Sequence, residues 1–234
     1  MVTDEVVSLG VGELAYVEVL PGSSREALQA LESIHLENFG DKYPKAINDF
    51  SRTWSGVSES EGMIAHQWLL HLDGEPCGEL VFEVNLPRRM VNRHFTSVQA
   101  SFRPSMPAGW IPVATQAVAD LCNADARRHG VELLGMMSEI LPRHAPGWRK
   151  LGLFTPDIEY SMPLHQNYWE DFPPLEFVPM VANILPFAAG REAGIGAVAE
   201  AGVKAFLLEY YKVPEDDPTF LAIVDRCRAL APAW

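Results

Sequence analysis

The hydrophobic pattern changes period several times along the chain, and each change marks an element. Gly12 to Leu20 reads as a strand closed by Pro21-Gly22. Ser23 then stands at an N-cap position with Glu26 three residues on. Behind it Leu28, Leu31, Ile34 and Phe39 recur at helical intervals, which predicts an amphipathic helix over residues 24–39. Residues 40–62 are polar and broken by Gly40, Pro44, Gly56 and Gly62, with room for one short helix. Met63 to Leu72 is strand-like and runs into Asp73-Gly74, a strong hairpin signal. Cys77 to Leu86 and His94 to Phe102 read as the next two strands, joined through Pro87-Arg88-Arg89. Connections this short make the three an antiparallel meander.

A proline-rich loop, Pro104 to Pro112, follows. Pro112 suits the first position of a helix that ends on Arg127, Arg128 and His129 before Gly130. Val131 to Met137 is a short apolar strand, and Lys150 to Phe154 leads toward another through Tyr160. Glu176 to Leu185 reads as a further strand, which Pro179 would place at a sheet edge. From Phe187 on, alanine and glycine dominate. Val203, Phe206, Leu207 and Tyr210 mark one helix stripe, and Pro218 to Leu230 a last helix. A meander followed by strand, helix and strand is an α+β arrangement.

Composition narrows the function classes. The chain has 234 residues, enough for one good core, and 48% hydrophobic with 21% charged residues excludes wholesale disorder. A formal charge of -13 repels phosphate backbones and argues against nucleic-acid binding. Cys77, Cys122 and Cys227 are odd in number and far apart, which fits buried reduced thiols rather than a disulfide framework or a zinc site. The first twelve residues lack the basic start and apolar run of a signal peptide, and no apolar stretch approaches the ~20 residues a membrane span needs. The expected compartment is the cytoplasm.

Several local sequences, in this order, resemble landmarks of the GNAT superfamily of N-acyltransferases. His35-Leu36-Glu37-Asn38-Phe39 looks like the first helix that helps form the acceptor site. Asp73 to Glu79 is similar to the hairpin entering the central meander, and Ala126 to Gly130 to the end of the long third helix. Trp148 to Leu153 resembles the tyrosine-containing turn near the end of the domain. Tyr160 to Pro163 and Pro179-Met180 resemble a bacterial subgroup with a helical C-terminal extension. The resemblance implies a GNAT-like mixed sheet flanked by helices over residues 1–165. Residues 166–234 would form an extension, an edge strand plus helices, packed on it. It implies an acyl-CoA co-substrate and a small amine as acceptor, while the histidine and cysteine spacings suggest no metal site.

The same resemblance exposes two departures. The family's loop of pattern Arg/Gln-x-x-Gly-x-Gly/Ala offers backbone amides to the CoA pyrophosphate at a helix N-terminus. Pro107, Trp110 and Pro112 stand here instead, removing donors and room, although Gly109 is kept. Phe102, Ala108, Gly109, Trp110 and Ile111 are the positions the resemblance places against that co-substrate. The tyrosine that would reprotonate a leaving thiolate is replaced by Trp148, whose indole cannot serve.

Two residues are candidates for catalysis. His94, at the start of its strand, could take a proton from an ammonium acceptor; the alternative is a strand-edge histidine beside the basic turn. Glu139, closing the next strand, could accept from the amine directly or through water, or be a solvated carboxylate. His66 and His71 lie at odd separation and cannot share a metal, and His144 and His165 have no spacing partner. Arg88, Arg89 and Arg93 form a basic turn suited to ligand recognition, or to solubility or oligomer contact. Gly190, Gly194, Gly196 and Gly202 spell no phosphate loop and suit close helix packing. Tyr160, Tyr168, Trp169, Phe172 and Phe177 could cover an acceptor site or the sheet. The leading expectation is acyl transfer from a CoA or carrier thioester to a small amine. The rival is a GNAT-like scaffold that has lost acyl-CoA catalysis and binds a metabolite or protein, or runs another reaction. Homodimerisation through the stripe at Val203, Phe206, Leu207 and Tyr210 is compatible with either.

Overall fold

The structure is a computed structural model and describes residues 4–43, 46–57, 61–164 and 176–231. Eight strands form one mixed sheet in the order β1-β2-β3-β4-β5-β6-β8-β7. They are β1 (Val6–Val11), β2 (Leu14–Glu18), β3 (Met63–Leu72), β4 (Glu75–Asn85), β5 (Met90–Val98), β6 (Gly135–Ile140), β7 (Tyr160–Pro163) and β8 (Phe177–Pro186). The helices are α1 (Arg25–Phe39), α2 (Ala46–Trp54), α3 (Trp110–Arg128), α4 (Ala145–Lys150), α5 (Ala188–Ala193), α6 (Ile195–Lys204) and α7 (Pro218–Ala229). The architecture is the expected α+β one. The chain divides into two units, residues 1–83 with 94–121 and residues 84–93 with 122–234. The anticipated boundary at residue 165 lies outside the described residues.

In the first unit, α1 is capped by Ser24, not Ser23. The Ser24 hydroxyl accepts from the Ala27 amide at 3.1 Å and donates to Asp4, while Ser23 closes the preceding turn on Leu20 and Glu18. The predicted stripe is the core: Leu28, Leu31 and Ile34 are buried with Phe50 of α2 and with Val19, Leu69 and Phe95 of the sheet. Asp73 and Gly74 both take positive φ (52° and 83°), the backbone a two-residue hairpin turn requires. Three sequence expectations shift here. The expected first strand is β2, and a strand not anticipated, β1, precedes it across the turn at Gly12 (φ 53°). The third meander strand spans Met90–Val98 rather than His94–Phe102, so His94 sits inside the strand and Phe102 beyond it. The α3 helix starts at Trp110, which makes Pro112 its third residue rather than its first.

In the second unit, β6 runs parallel to β5, Met90–Arg93 against Gly135–Ser138, and antiparallel to β8. It begins four residues later than Val131 because Gly130 (φ 70°) ends the helix and the segment before Gly135 stays out of the ladder. β8 is not an edge strand, since β6 and β7 flank it. Pro179 pairs only with Ser161 of β7, past the last β6 partner at Val181, so its missing N–H breaks no ladder. The glycines pack helices: a Cβ on Gly190 would meet the Leu134 carbonyl oxygen at 1.9 Å, and one on Gly202 the Met137 sulfur at 2.6 Å. Val203, Phe206 and Leu207 are buried in the chain's own core and offer no dimer face. The basic turn does not cluster either. Arg88 pairs with Glu209 at 2.6 Å, Arg89 donates to the Glu132 carbonyl, and Arg93 is buried in β5.

Candidate functional site

An anion grip of the kind the resemblance implies would lie at the α3 N-terminus. Gly109 holds φ 80° with open space around it. The Trp110 amide donates to the Pro107 carbonyl at 3.2 Å and the Val113 amide to the Gly109 carbonyl at 3.4 Å, while Pro112 has no N–H. The loop's own backbone takes up none of the Ala108, Gly109 and Ile111 amides. Pro107 is anchored against Gly12, where a Cβ would come within 3.0 Å of its ring. Ala108 and Gly109 are exposed, and Phe102, Trp110 and Ile111 half-buried. A pyrophosphate needs several convergent donors. Trp110 and Val113 spend their amides within the loop and Pro107 and Pro112 have none, so the loop offers fewer donors to the pyrophosphate of acyl-CoA, the co-substrate the GNAT fold generally uses, than the Arg/Gln-x-x-Gly-x-Gly/Ala pattern does.

His94 lies in the first unit with its ring Nε2 3.6 Å from Glu83 Oε1 and its side chain 7% exposed. A pair of this kind is not the strand-edge histidine expected. His35, on α1, is wholly buried among Phe39, Phe50 and Phe95. Its Nε2–H donates to the Tyr43 carbonyl at 3.1 Å and its Nδ1 faces Glu79 Oε2 at 3.3 Å. Ser97 donates to the other Glu79 oxygen at 2.9 Å. The nitrogens and oxygens are satisfied and sealed, which makes this a polar pin in the core rather than a substrate contact. No local signal marks it, because His35 and Glu79 are 44 residues apart.

Glu139 belongs to the second unit. Side chains alternate along β6, so Met137 and Glu139 share one face and Met136, Ser138 and Ile140 the other. Tyr160 of β7 donates its hydroxyl to Glu139 Oε1, and Tyr211, just past a π-helical turn over Ala205–Tyr210, donates to Oε2. Both rings are buried, and the Tyr211 hydroxyl also lies 3.8 Å from the Met162 sulfur. Burial pushes the Glu139 carboxyl up to about 7, with the two tyrosine hydrogen bonds pulling the other way. The same burial, with the neighbouring carboxylate, raises both tyrosine hydroxyls well above their ordinary value. The residue is half-buried, unlike the freely solvated carboxylate that is one of its two sequence readings. Sequence reasoning missed both tyrosine partners. Tyr160 reads in the sequence as a strand residue and an aromatic, not as the partner of a carboxylate; Tyr168, Trp169 and Phe172 of the same segment lie outside the described residues.

Among the described residues no group of three or more His, Cys, Asp or Glu side chains could hold a metal ion, and no helix is long and apolar enough to cross a membrane. All three cysteines are buried free thiols.

No family model and no curated protein matches the sequence. Solved structures do. RimL, a ribosomal-protein alpha-N-acetyltransferase solved without ligand, is 14% identical, with a TM-score of 0.50 over 80% of this chain and 96% of that one. The spermidine N-acetyltransferase of Vibrio cholerae is 8% identical, with a TM-score of 0.48 over 74% of this chain and 94% of its own. A tandem GNAT protein from the clavulanic acid pathway is 13% identical with a TM-score of 0.47; the match covers 64% of this chain and 46% of that one, about half its length. With the strand order and the parallel β5–β6 pair, the likeness to RimL shows the fold, a GNAT-like α+β mixed sheet.

Proposed function

We propose that the chain is an acyltransferase of the GNAT fold that moves an acyl group from a thioester to a small amine, with Glu139 taking the amine's proton. The observation that supports this reading is the Glu139 carboxyl held near 7 by burial between Tyr160 and Tyr211. A group at that value is close to half ionised at neutral pH, which suits it to accept a proton and release it again. The two tyrosines, raised far above neutrality, stay protonated, and their role is to orient the carboxylate. The loop before α3 gives little purchase on a pyrophosphate, so the donor is held by other contacts or is a carrier-bound thioester that has none. His94, paired with Glu83, is the lesser candidate.

The same loop favours a second reading, a GNAT-fold protein that has lost acyl-CoA catalysis and binds a metabolite or protein. Titration of acetyl-CoA and longer acyl-CoAs by calorimetry, followed by thiol-release assays with a panel of amines and with CoA- and carrier-bound thioesters, separates the two. Turnover that rises with pH through about 7, and falls at least a hundredfold in Glu139→Gln, supports the transferase. Neither binding at millimolar ligand nor thiol release from either donor type would leave only the second reading. Turnover untouched in Glu139→Gln would remove Glu139 from the mechanism.

A further inference from the structure

On the face of β6 opposite Glu139, three strands bring polar side chains into one row. Arg93 of β5 stands in register with Ser138 of β6, and Ser138 with Asn183 of β8. Residues directly across a ladder project from the same face, so the three side chains lie side by side at strand spacing, about 5 Å apart. All are buried: Arg93 is 3% exposed, Ser138 4% and Asn183 0%. Each is surrounded by apolar neighbours on its own strand, Val91, Met136, Ile140 and Leu185 among them. A row of this polarity is foreign to a sheet core.

The row is organised toward something other than itself. Thr155 donates its hydroxyl to Asn183 Oδ1 at 3.5 Å and accepts from Arg149 Nε at 3.3 Å. That contact fixes which end of the carboxamide is used and leaves the Asn183 Nδ2 amide as a donor. Among the described residues neither Asn183 Nδ2 nor Ser138 Oγ has a hydrogen-bond partner. Two adjacent buried groups, one a donor and the other able to donate, are thus left without acceptors beside a guanidinium. The Trp148 ring lies 4.2 Å above the Arg93 guanidinium. Trp148 is half-buried on α4, a helix whose other residues from Pro146 to Lys150 are exposed. The row therefore lies one side chain below the surface.

We infer that the row Arg93–Ser138–Asn183 is a binding site for the carboxylate of a small organic molecule, with Trp148 covering its apolar part. The chemistry is specific. A hydroxyl and an amide N–H₂ next to a guanidinium present donors across a span that two carboxylate oxygens can bridge, and a planar carboxylate suits a planar guanidinium fork. One buried cation matches a monoanion better than a phosphate dianion, which draws on several cations or a ring of amides. The site stands independently of acyl transfer, since it needs neither Glu139 nor the α3 loop. Arg149 and Thr155 hold Asn183 and act as positioning residues.

The test is calorimetric titration of the full chain with acetate, glycine, succinate and phenylacetate, with methylamine and inorganic phosphate as controls. At least one carboxylate should bind saturably, the aromatic one quenching tryptophan fluorescence in a way lost in Trp148→Leu. Binding should weaken tenfold or more in Ser138→Ala and in Asn183→Ala, and an arginine-to-lysine exchange at 93 should weaken it less than Arg93→Met. Thermal unfolding of each variant shows that the fold persists; Ser138→Ala, a small change, serves where another variant does not fold. Absence of saturable binding by every carboxylate in the panel overturns the assignment. So does equal affinity in Ser138→Ala and Asn183→Ala, or binding of phosphate in place of carboxylates.

Discussion

Replacing Glu139 by glutamine tests the environment of the candidate base without an enzymatic assay. In the unfolded chain its carboxyl titrates at the ordinary 4.5, and in the folded chain at about 7. Between those values the native state holds a proton that the unfolded chain has released, so stability falls as pH rises. The contribution is fully present below about 4.5 and lost as pH climbs through about 7. At roughly 1.4 kcal/mol for each pH unit, the interval corresponds to about 3 kcal/mol. Because Glu139 is half-buried, solvent screening trims this to about 2–3 kcal/mol. In Glu139→Gln the carboxamide oxygen accepts from one tyrosine and its N–H₂ donates to the other, so both hydroxyls keep a partner and no titration remains. The other groups with raised values in the same environment are Tyr160, Tyr211 and Cys227, none of which loses a proton below pH 8. Urea unfolding followed by tryptophan fluorescence, for both proteins between pH 5 and 8.5, gives the answer as a difference in which the seven histidines cancel. The glutamine variant should gain about 2 kcal/mol relative to the parent across that range. Parallel profiles, or a parent that becomes relatively more stable with rising pH, would refute the burial argument and with it the proton-acceptor role.

Four further outcomes rest on named residues. His35→Ala leaves Glu79 buried without its partner and should cost about 3–5 kcal/mol in denaturant unfolding. Glu79→Gln, which keeps an acceptor for Ser97, should cost clearly less. Gly190→Ala drives a methyl to 1.9 Å from a backbone oxygen that has no freedom to move aside, and should destabilise by at least about 1–3 kcal/mol, visible as a lowered melting temperature. Pro112→Ala restores an amide donor in the first turn of α3. If missing donors are what weakens the loop, acetyl-CoA affinity by calorimetry should rise about tenfold or more, the worth of one hydrogen bond to a charged group.

Much of the fold was legible from residues close in sequence. The stripe at Leu28, Leu31 and Ile34, the Asp73-Gly74 turn, the end of α3 at Arg128 before Gly130, and α7 behind Asp217 lie within a residue or two of their expected places. Strand ends were less legible. β5 lies four residues before its expected start because its ladder partners on β6, not its own alternation, decide which residues are paired. The N-terminal strand was missed because Val6 to Val11 is largely exposed and reads as polar-flanked coil until β2 folds back on it.

What the sequence by itself determined is set by covalent structure and local geometry: helix and strand periods, caps, turns, and the shortage of amides before α3. Proline lacks an N–H in any fold, so Pro112 limits that loop whatever surrounds it. What only the tertiary structure decided is the character of each ionisable group. Glu139 was equally a solvated strand end until Tyr160, 21 residues on, and Tyr211, 72 residues on, enclosed it. His35, Arg93, Ser138 and Asn183 changed meaning in the same way. A side chain's charge, partner and proton affinity depend on burial and on atoms brought from far along the chain, and neither is written into its neighbours in sequence.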